Sequence, residues 1–155
     1  MSVQEGDQAP DFSMPASGGR TVSLAGQRGR PFALYFYPKA DTPGCTKEAC
    51  GFQEALPQLG AIGLAVIGVS RDKMRPIEKF AEKYHLTFPL ASDEAGEAAE
   101  AYGTWVEKSM YGKKYMGMDR STFLIDRHGK IARIWRKVKV EGHALEVLRA
   151  AEALR

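Results

Sequence analysis

Cysteine is scarce in this chain: 155 residues contain two, Cys45 and Cys50. That scarcity excludes a secreted framework stapled by disulfides, and in a reducing compartment a close pair is more often catalytic or metal-binding. No apolar run approaches the roughly 18 residues of a membrane span. The opening MSVQEGDQAPDF has no apolar core of a signal peptide. A cytoplasmic location without membrane attachment is therefore expected. Charge of one sign is lacking too, and a net +3 is too weak to argue for nucleic acid. The most basic stretch, RIWRKVK (133–139), reads as a strand whose outward lysines and arginines discourage edge pairing. The three histidines, His85, His128 and His143, are isolated in sequence, and each is expected at the surface. Two thiolates without them fall short of the four ligands that zinc usually takes.

What remains is an ordinary soluble composition, 44% hydrophobic and 26% charged, in one expected domain spanning 1–155. A chain of this length buries roughly 70% of its unfolded surface and needs no staples. It has no internal repeat, low-complexity tract or long linker. ASGGR (16–20) reads as a hairpin turn between short strands, and PFALYFYP (31–38) as a buried strand ended by proline. CTKEACGFQEALPQLG (45–60) has helical spacing at Ala49, Phe52, Leu56 and Leu59, with Pro57 expected to end or kink it. GLAVIGVS (63–70) suits a strand buried on both faces. RPIEKFAEKYHL (75–86) is an amphipathic helix, FPLASD (88–93) a short strand and GEAAEAYG (96–103) a short helix. STFLIDRHGKIARIWR (121–136) reads as two strands around a turn, and GHALEVLRAAEALR (142–155) as a final helix. Strands alternating with helices predict an α/β fold with a mixed sheet covered on both faces, compatible with a thioredoxin-like architecture.

Both cysteines lie in YPKADTPGCTKEAC (37–50). Thr42 is read as the N-cap of a helix and Pro43 as its first residue, where no N–H is lost. Cys45 then falls in the first turn, where free N–H groups and the helix dipole favour negative charge. The thiolate is the reactive form, and such surroundings lower a thiol pKa from about 8.5 into the range of roughly 3.5–7.5. Gly44 is read as leaving space beside the sulfur for a substrate. The plain alternative is a small buried side chain at a helix start. Cys50 is either a second redox group or a core residue. Five helical steps separate the two by a rise of about 7.5 Å and a turn of about 140°, hence roughly 8.6 Å between Cα atoms. A disulfide needs less than about 7 Å, so the pair stays apart or the helix unwinds to join it.

The segment FYPKADTPGCTKEACGF resembles the active-site segment of the peroxiredoxins, of the bacterioferritin comigratory protein or PrxQ type. The family pattern Pro-x-x-x-Thr/Ser-x-x-Cys is met by Pro38, Thr42 and Cys45. GDQAPDFSMPASGGRTVSL is similar to the family's opening, VIGVSRD to its central strand, and RSTFLIDRHGKI to the segment carrying its arginine. The resemblance implies a thioredoxin-like fold and a thiol-dependent peroxidase without metal or prosthetic group. It implies Cys45 as peroxidatic nucleophile, Cys50 as resolving cysteine, Thr42 as donor to peroxide and sulfur, Arg120 as stabiliser of the thiolate, and Pro38 as shield against water. Hydrogen peroxide or alkyl hydroperoxides are the implied substrates, thioredoxin or sometimes glutaredoxin the reductant, and a monomer the usual form. Cys-x-x-Cys is absent, and Asp-Arg-Ser-Thr-Phe stands where thioredoxin carries its proline, so a general disulfide reductase is disfavoured. A thiol or copper carrier of the same fold, or a redox-regulated binding protein, is the competing expectation.

Overall fold

The alternation in Phe-Ala-Leu-Tyr-Phe decides the layering. These residues form strand β3 (Phe32–Phe36), buried on both sides. Ala33 and Tyr35 point into one core, and Phe32, Leu34 and Phe36 into another. A strand apolar on both faces must be covered on both. The structure is a computed structural model and describes residues 3–154.

Around β3 runs a seven-stranded mixed sheet. Its other members are β1 (Ser13–Ala16), β2 (Arg20–Ser23), β4 (Ala65–Ser70), β5 (Leu90–Ser92), β8 (Ser121–Ile125) and β9 (Ile131–Trp135), in the order β2-β1-β5-β4-β3-β8-β9. β3, β4 and β5 are parallel neighbours, while β8 and β9 are antiparallel. Helices α1 (Pro43–Ala61) and α2 (Met74–Lys83) make the parallel crossovers. They share one core with α4 (His143–Glu152), whereas α3 (Glu97–Ala101) packs on the opposite face with β1 and β2. β9 is a sheet edge, but it ends at Trp135, so of the basic residues in the run expected as a strand over 133–139 only Arg133 lies in it, and Lys137 takes a left-handed backbone (φ 50°).

Three of the departures from the sequence reading have a local cause. Pro57 neither ends α1 nor marks its last turn, since the helix runs on to Ala61. Its missing N–H is outweighed by the buried stripe Phe52, Ala55 and Leu59, which holds both halves to the sheet. α2 stops at Lys83, because His85 takes a left-handed conformation (φ 55°) and the Leu86 N–H closes back on the Ala81 carbonyl at 2.9 Å. α4 starts one residue late, after Gly142 (φ 72°), and ends at Glu152. Arg155, expected in that helix, lies outside the described residues, as do Met1 and Ser2.

One hairpin has no counterpart in the sequence reading. β6 (Trp105–Met110) and β7 (Lys113–Met118) form a separate two-stranded ribbon through a turn at Tyr111 and Gly112, whose φ values are 52° and 78°. Paired positive φ values are the signature of a tight hairpin turn. Its outer half is wet on both sides, so its sequence lacks the alternation that reveals a half-buried strand. Among the described residues, no helix is long and apolar enough to cross a membrane.

Candidate active site

From the end of β3 the chain passes Tyr37, Pro38, Lys39 and Ala40 before turning into α1. Asp41 makes that turn with a left-handed backbone (φ 58°). It is held by Lys83 Nζ at 3.0 Å and the Tyr84 hydroxyl at 2.9 Å, which keep its carboxyl below the ordinary range. The Ala40 N–H donates to Asp72 Oδ2 at 2.8 Å, tying the loop to the segment after β4. Thr42 occupies the N-cap position and Pro43 the first helical one. The Thr42 hydroxyl does not cap the helix, however. It donates to the Lys39 carbonyl at 2.7 Å, so α1 begins without a side-chain cap. Pro38 lies exposed on the same loop.

Cys45 is the third residue of α1 and 2% exposed. Its sulfur accepts a hydrogen bond from Arg120 Nη2 at 3.3 Å. Arg120 stands just before β8, and the β3–β8 register sets Ser121 opposite Phe36. That register carries the guanidinium to the place where α1 starts. Gly44 has a different use from the one expected: a Cβ there would meet Arg120 Nη2 at 3.1 Å. The space beside Gly44 therefore admits the guanidinium.

A third member of the site was not nominated by the sequence. Glu48, one turn beyond Cys45, has a side chain only 1% exposed and accepts Arg120 Nη1 at 2.7 Å. Its other oxygen is buried without a hydrogen-bond partner. Burial pushes the Glu48 carboxyl up to about 7, against the pull of Arg120. Burial also works against the charge of Arg120, but Glu48 and Cys45 beside it raise its pKa. Arg120 thus uses two of its nitrogens at once, one on the carboxylate and one on the sulfur. Tyr35 lies beneath, its hydroxyl buried without a partner and kept protonated mainly by burial, then by Glu48. The one available signal for Glu48 is an acidic residue at the i+3 position from the cysteine, on the inward stripe of a helix.

Cys50 lies on the same continuous helix, half-buried, and both cysteines are free. Burial, then Glu54, raises the Cys50 pKa. The thiol borders a groove of about 530 Å³ between α1 and the start of α4. His85 and His128 are exposed, as expected. His143 is not: it is 1% exposed, because the first turn of α4 is folded in against β8 and α1. Among the described residues, no group of three or more His, Cys, Asp and Glu side chains is placed to hold a metal ion.

The chain has known counterparts along nearly its whole length. The AhpC/TSA family model matches residues 5–134. A putative peroxiredoxin Bcp of Coxiella burnetii is 48% identical over 148 residues, covering 96% of this chain and 98% of its own. Peroxiredoxin Bcp of Bacillus subtilis is 44% identical over 148 residues, 96% of this chain and 94% of its own. Peroxiredoxin Q of Xanthomonas campestris superposes with a TM-score of 0.88 at 42% identity, covering 92% of this chain and 90% of that one. The PrxQ of Xylella fastidiosa, as a cysteine-to-serine mutant, superposes with a TM-score of 0.94 at 37% identity over 99% and 98%. Sequence and sheet thus agree from end to end, and the chain, with its buried cysteine under an arginine at a helix start, belongs to the AhpC/TSA family as a peroxiredoxin of the Bcp/PrxQ type.

Proposed function

We propose that this peroxiredoxin reduces hydrogen peroxide and organic hydroperoxides to water and alcohols through a sulfenic acid on Cys45 and a Cys45–Cys50 disulfide. The observation that carries the reading is the guanidinium of Arg120, bonded to the Cys45 sulfur at 3.3 Å and held in place by Glu48 at 2.7 Å. A fixed cation beside the sulfur at a helix N-terminus is placed where charge develops as a peroxide O–O bond breaks. A reaction of the same kind is attached by name to a relative, the bacterioferritin comigratory protein of Xanthomonas campestris, described for its alkyl peroxide reduction activity and 40% identical to this chain.

In the proposed cycle the Cys45 thiolate attacks one peroxide oxygen. The S–O bond forms, the O–O bond breaks, and the leaving oxygen takes a proton to depart as water or alcohol. The Thr42 hydroxyl, expected to donate to peroxide and sulfur, gives its one proton to the Lys39 carbonyl instead, so its part in the cycle is as an acceptor whose lone pairs orient the peroxide O–H. Pro38 is assigned the shielding of the loop side from water. The Cys50 thiol then attacks the sulfenic sulfur; an S–S bond forms and water leaves. An external dithiol, of the thioredoxin or glutaredoxin kind, reduces the disulfide by exchange. The protein is assigned to antioxidant defence in the cytoplasm, as a monomer.

Stopped-flow mixing of the reduced protein with hydrogen peroxide, followed by intact mass and peptide mapping, tests the reading. Fast single-turnover consumption, ending in a protein lighter by two hydrogens with Cys45 linked to Cys50, is expected. Slow oxidation with both thiols retained would remove the peroxidase assignment.

A further inference from the structure

His143 is a buried titratable side chain that the proposed cycle does not use. Its Nε2 lies 2.7 Å from Thr122 Oγ1 and its Nδ1 3.4 Å from Glu146 Oε1. A carboxylate only accepts, so Nδ1 carries the proton and Nε2 accepts the Thr122 hydroxyl. Burial lowers the His143 pKa against the pull of Glu146, and Arg120 and Arg133 lower it further, so the ring is neutral. Thr122 is a central residue of β8, paired with Tyr35 on β3 and Trp135 on β9. The start of α4 is therefore tied to the middle of the sheet.

The same ring stands edge-on to Phe52, with centroids 6.0 Å apart, and to Trp135 at 5.5 Å. Phe52 is itself stacked on Tyr35 at 4.7 Å and an interplanar angle of 22°. It is the second residue past Cys50. The groove between α1 and α4 runs past it on both sides, bordered by Cys50 and Gly51 before Phe52 and by Glu54, Ala55 and Gln58 beyond it, so the ring contacts of Phe52 are a packed point between open stretches. A Cβ on Gly51 would reach only ordinary contact with Ala144, at 3.8 Å.

We propose that His143 is a positioning residue for disulfide formation: tied to the sheet through Thr122, it holds Phe52 in place, so that the unwinding of α1 that joins Cys45 to Cys50 stops there. This rests on the reading that Cys50 resolves Cys45. The chain geometry requires no more. An extended chain covers about 3.3–3.6 Å per residue, so melting the turns up to Gly51 easily brings the two Cα atoms to the roughly 5.5–6 Å of a disulfide. Melting beyond it would lift Phe52 out of its stack on Tyr35. Once the first turns are gone, Phe52 is near the new helix end, and the histidine contact carries weight that the continuous helix of the reduced form carries by itself.

The test compares amide exchange in the reduced and peroxide-oxidised protein. His143→Phe keeps a ring and removes both nitrogens, and His143→Gln restores a polar group near Nε2. In the wild type, oxidation is expected to raise exchange across 43–51 and leave 52–59 protected. In His143→Phe the reduced form should match the wild type, while oxidation should speed exchange across 52–59 by about 5- to 150-fold, the range for a lost buried hydrogen bond. His143→Gln should return most of that protection. Where His143→Phe does not fold, Thr122→Val removes the same bond from the sheet side and carries the same expectation. An unchanged boundary in the oxidised variant, or an equal gain in both redox forms, overturns the proposal. If wild-type peptide mapping finds no Cys45–Cys50 link, the role of Cys50 fails first, and the proposal falls with it.

Discussion

Glu48 and Arg120 form a buried ion pair whose second duty is to the Cys45 sulfur. Removing the nucleophile should be absolute: Cys45→Ser is expected to abolish peroxide consumption, because serine is not ionised near pH 7, and substantial turnover in that variant would sink the mechanism. Removing the cation should be graded. A hydrogen bond to a charged group contributes roughly 1.5–3 kcal/mol, so Arg120→Ala should slow Cys45 oxidation about 10- to 150-fold. Lysine should rescue only in part, having no planar fork to span carboxylate and sulfur. An alanine variant oxidised at the wild-type rate would place Arg120 outside the chemistry. Glu48 has a pH signature. Its carboxyl titrates near 7 in the fold and near 4.5 when exposed. The folded form thus binds the proton more tightly, so this group's stabilisation is full below about pH 4.5 and is lost as pH rises through 7. Thermal unfolding of Glu48→Gln should lack that slope, gaining on the wild type between about pH 5 and pH 7.5. Parallel Tm curves for the two proteins would contradict it.

At the scale of the element, α1 carries both thiols on one unbroken helix. Ideal helix geometry separates their Cα atoms by roughly 8.6 Å, beyond the reach of a disulfide. The peroxide-reactive form and the disulfide form must then differ in backbone structure. Local opening of a turn or two lies far below global unfolding in free energy. Oxidation is expected to lower helical circular dichroism and speed amide exchange over the first turns of α1, both reversed by reduction; identical spectra and exchange in the two states would contradict this. Gly51 is where that equilibrium can be tuned. A methyl group there meets Ala144 at an ordinary 3.8 Å, so Gly51→Ala fits the folded helix. Alanine favours helix by about 1 kcal/mol over glycine, so the variant should close the disulfide about fivefold more slowly. It should attack peroxide normally and accumulate more sulfinic acid on Cys45. An unchanged sulfinic fraction at high peroxide would show that unwinding does not limit resolution.

For the whole molecule, the division into two cores and one projecting hairpin sorts the methionines by exposure. Met110 and Met116 on the β6–β7 ribbon are 57% and 51% exposed, whereas Met14 and Met118 are 4% and 2%. Met118 is further enclosed by the Thr104 hydroxyl, which donates to its sulfur at 3.2 Å. Thioether oxidation follows access. Under excess peroxide, Met110 and Met116 should become sulfoxides well before Met14 and Met118, as peptide mapping of the Cys45→Ser protein would show. Equal modification of Met118 would mean that the ribbon opens away from the sheet.

Periodicity is enough for β3, α1, β4, α2 and the closing helix, because each presents apolar residues at a spacing that only one backbone geometry can bury. The segment around Cys45 is legible for the same local reason: Thr-Pro-Gly before a cysteine is a helix start whatever surrounds it. Arg120 can be named from the family pattern, yet its contact with Cys45 bridges 75 residues and exists through the β3–β8 register. Glu48 carries no mark beyond its place three residues after Cys45, and His143 reads as an exposed helix start. What buries them is the packing of α1 and α4 on one face of the sheet, a long-range event with no local signature. The β6–β7 ribbon is silent in the sequence, since a strand wet on both faces has no alternation to read. Local pattern therefore settles which segments fold and where a reactive thiol stands. Which charge meets that thiol, and which side chains hold its helix, is settled by packing alone, because both depend on elements far apart in the chain being fixed against the same sheet.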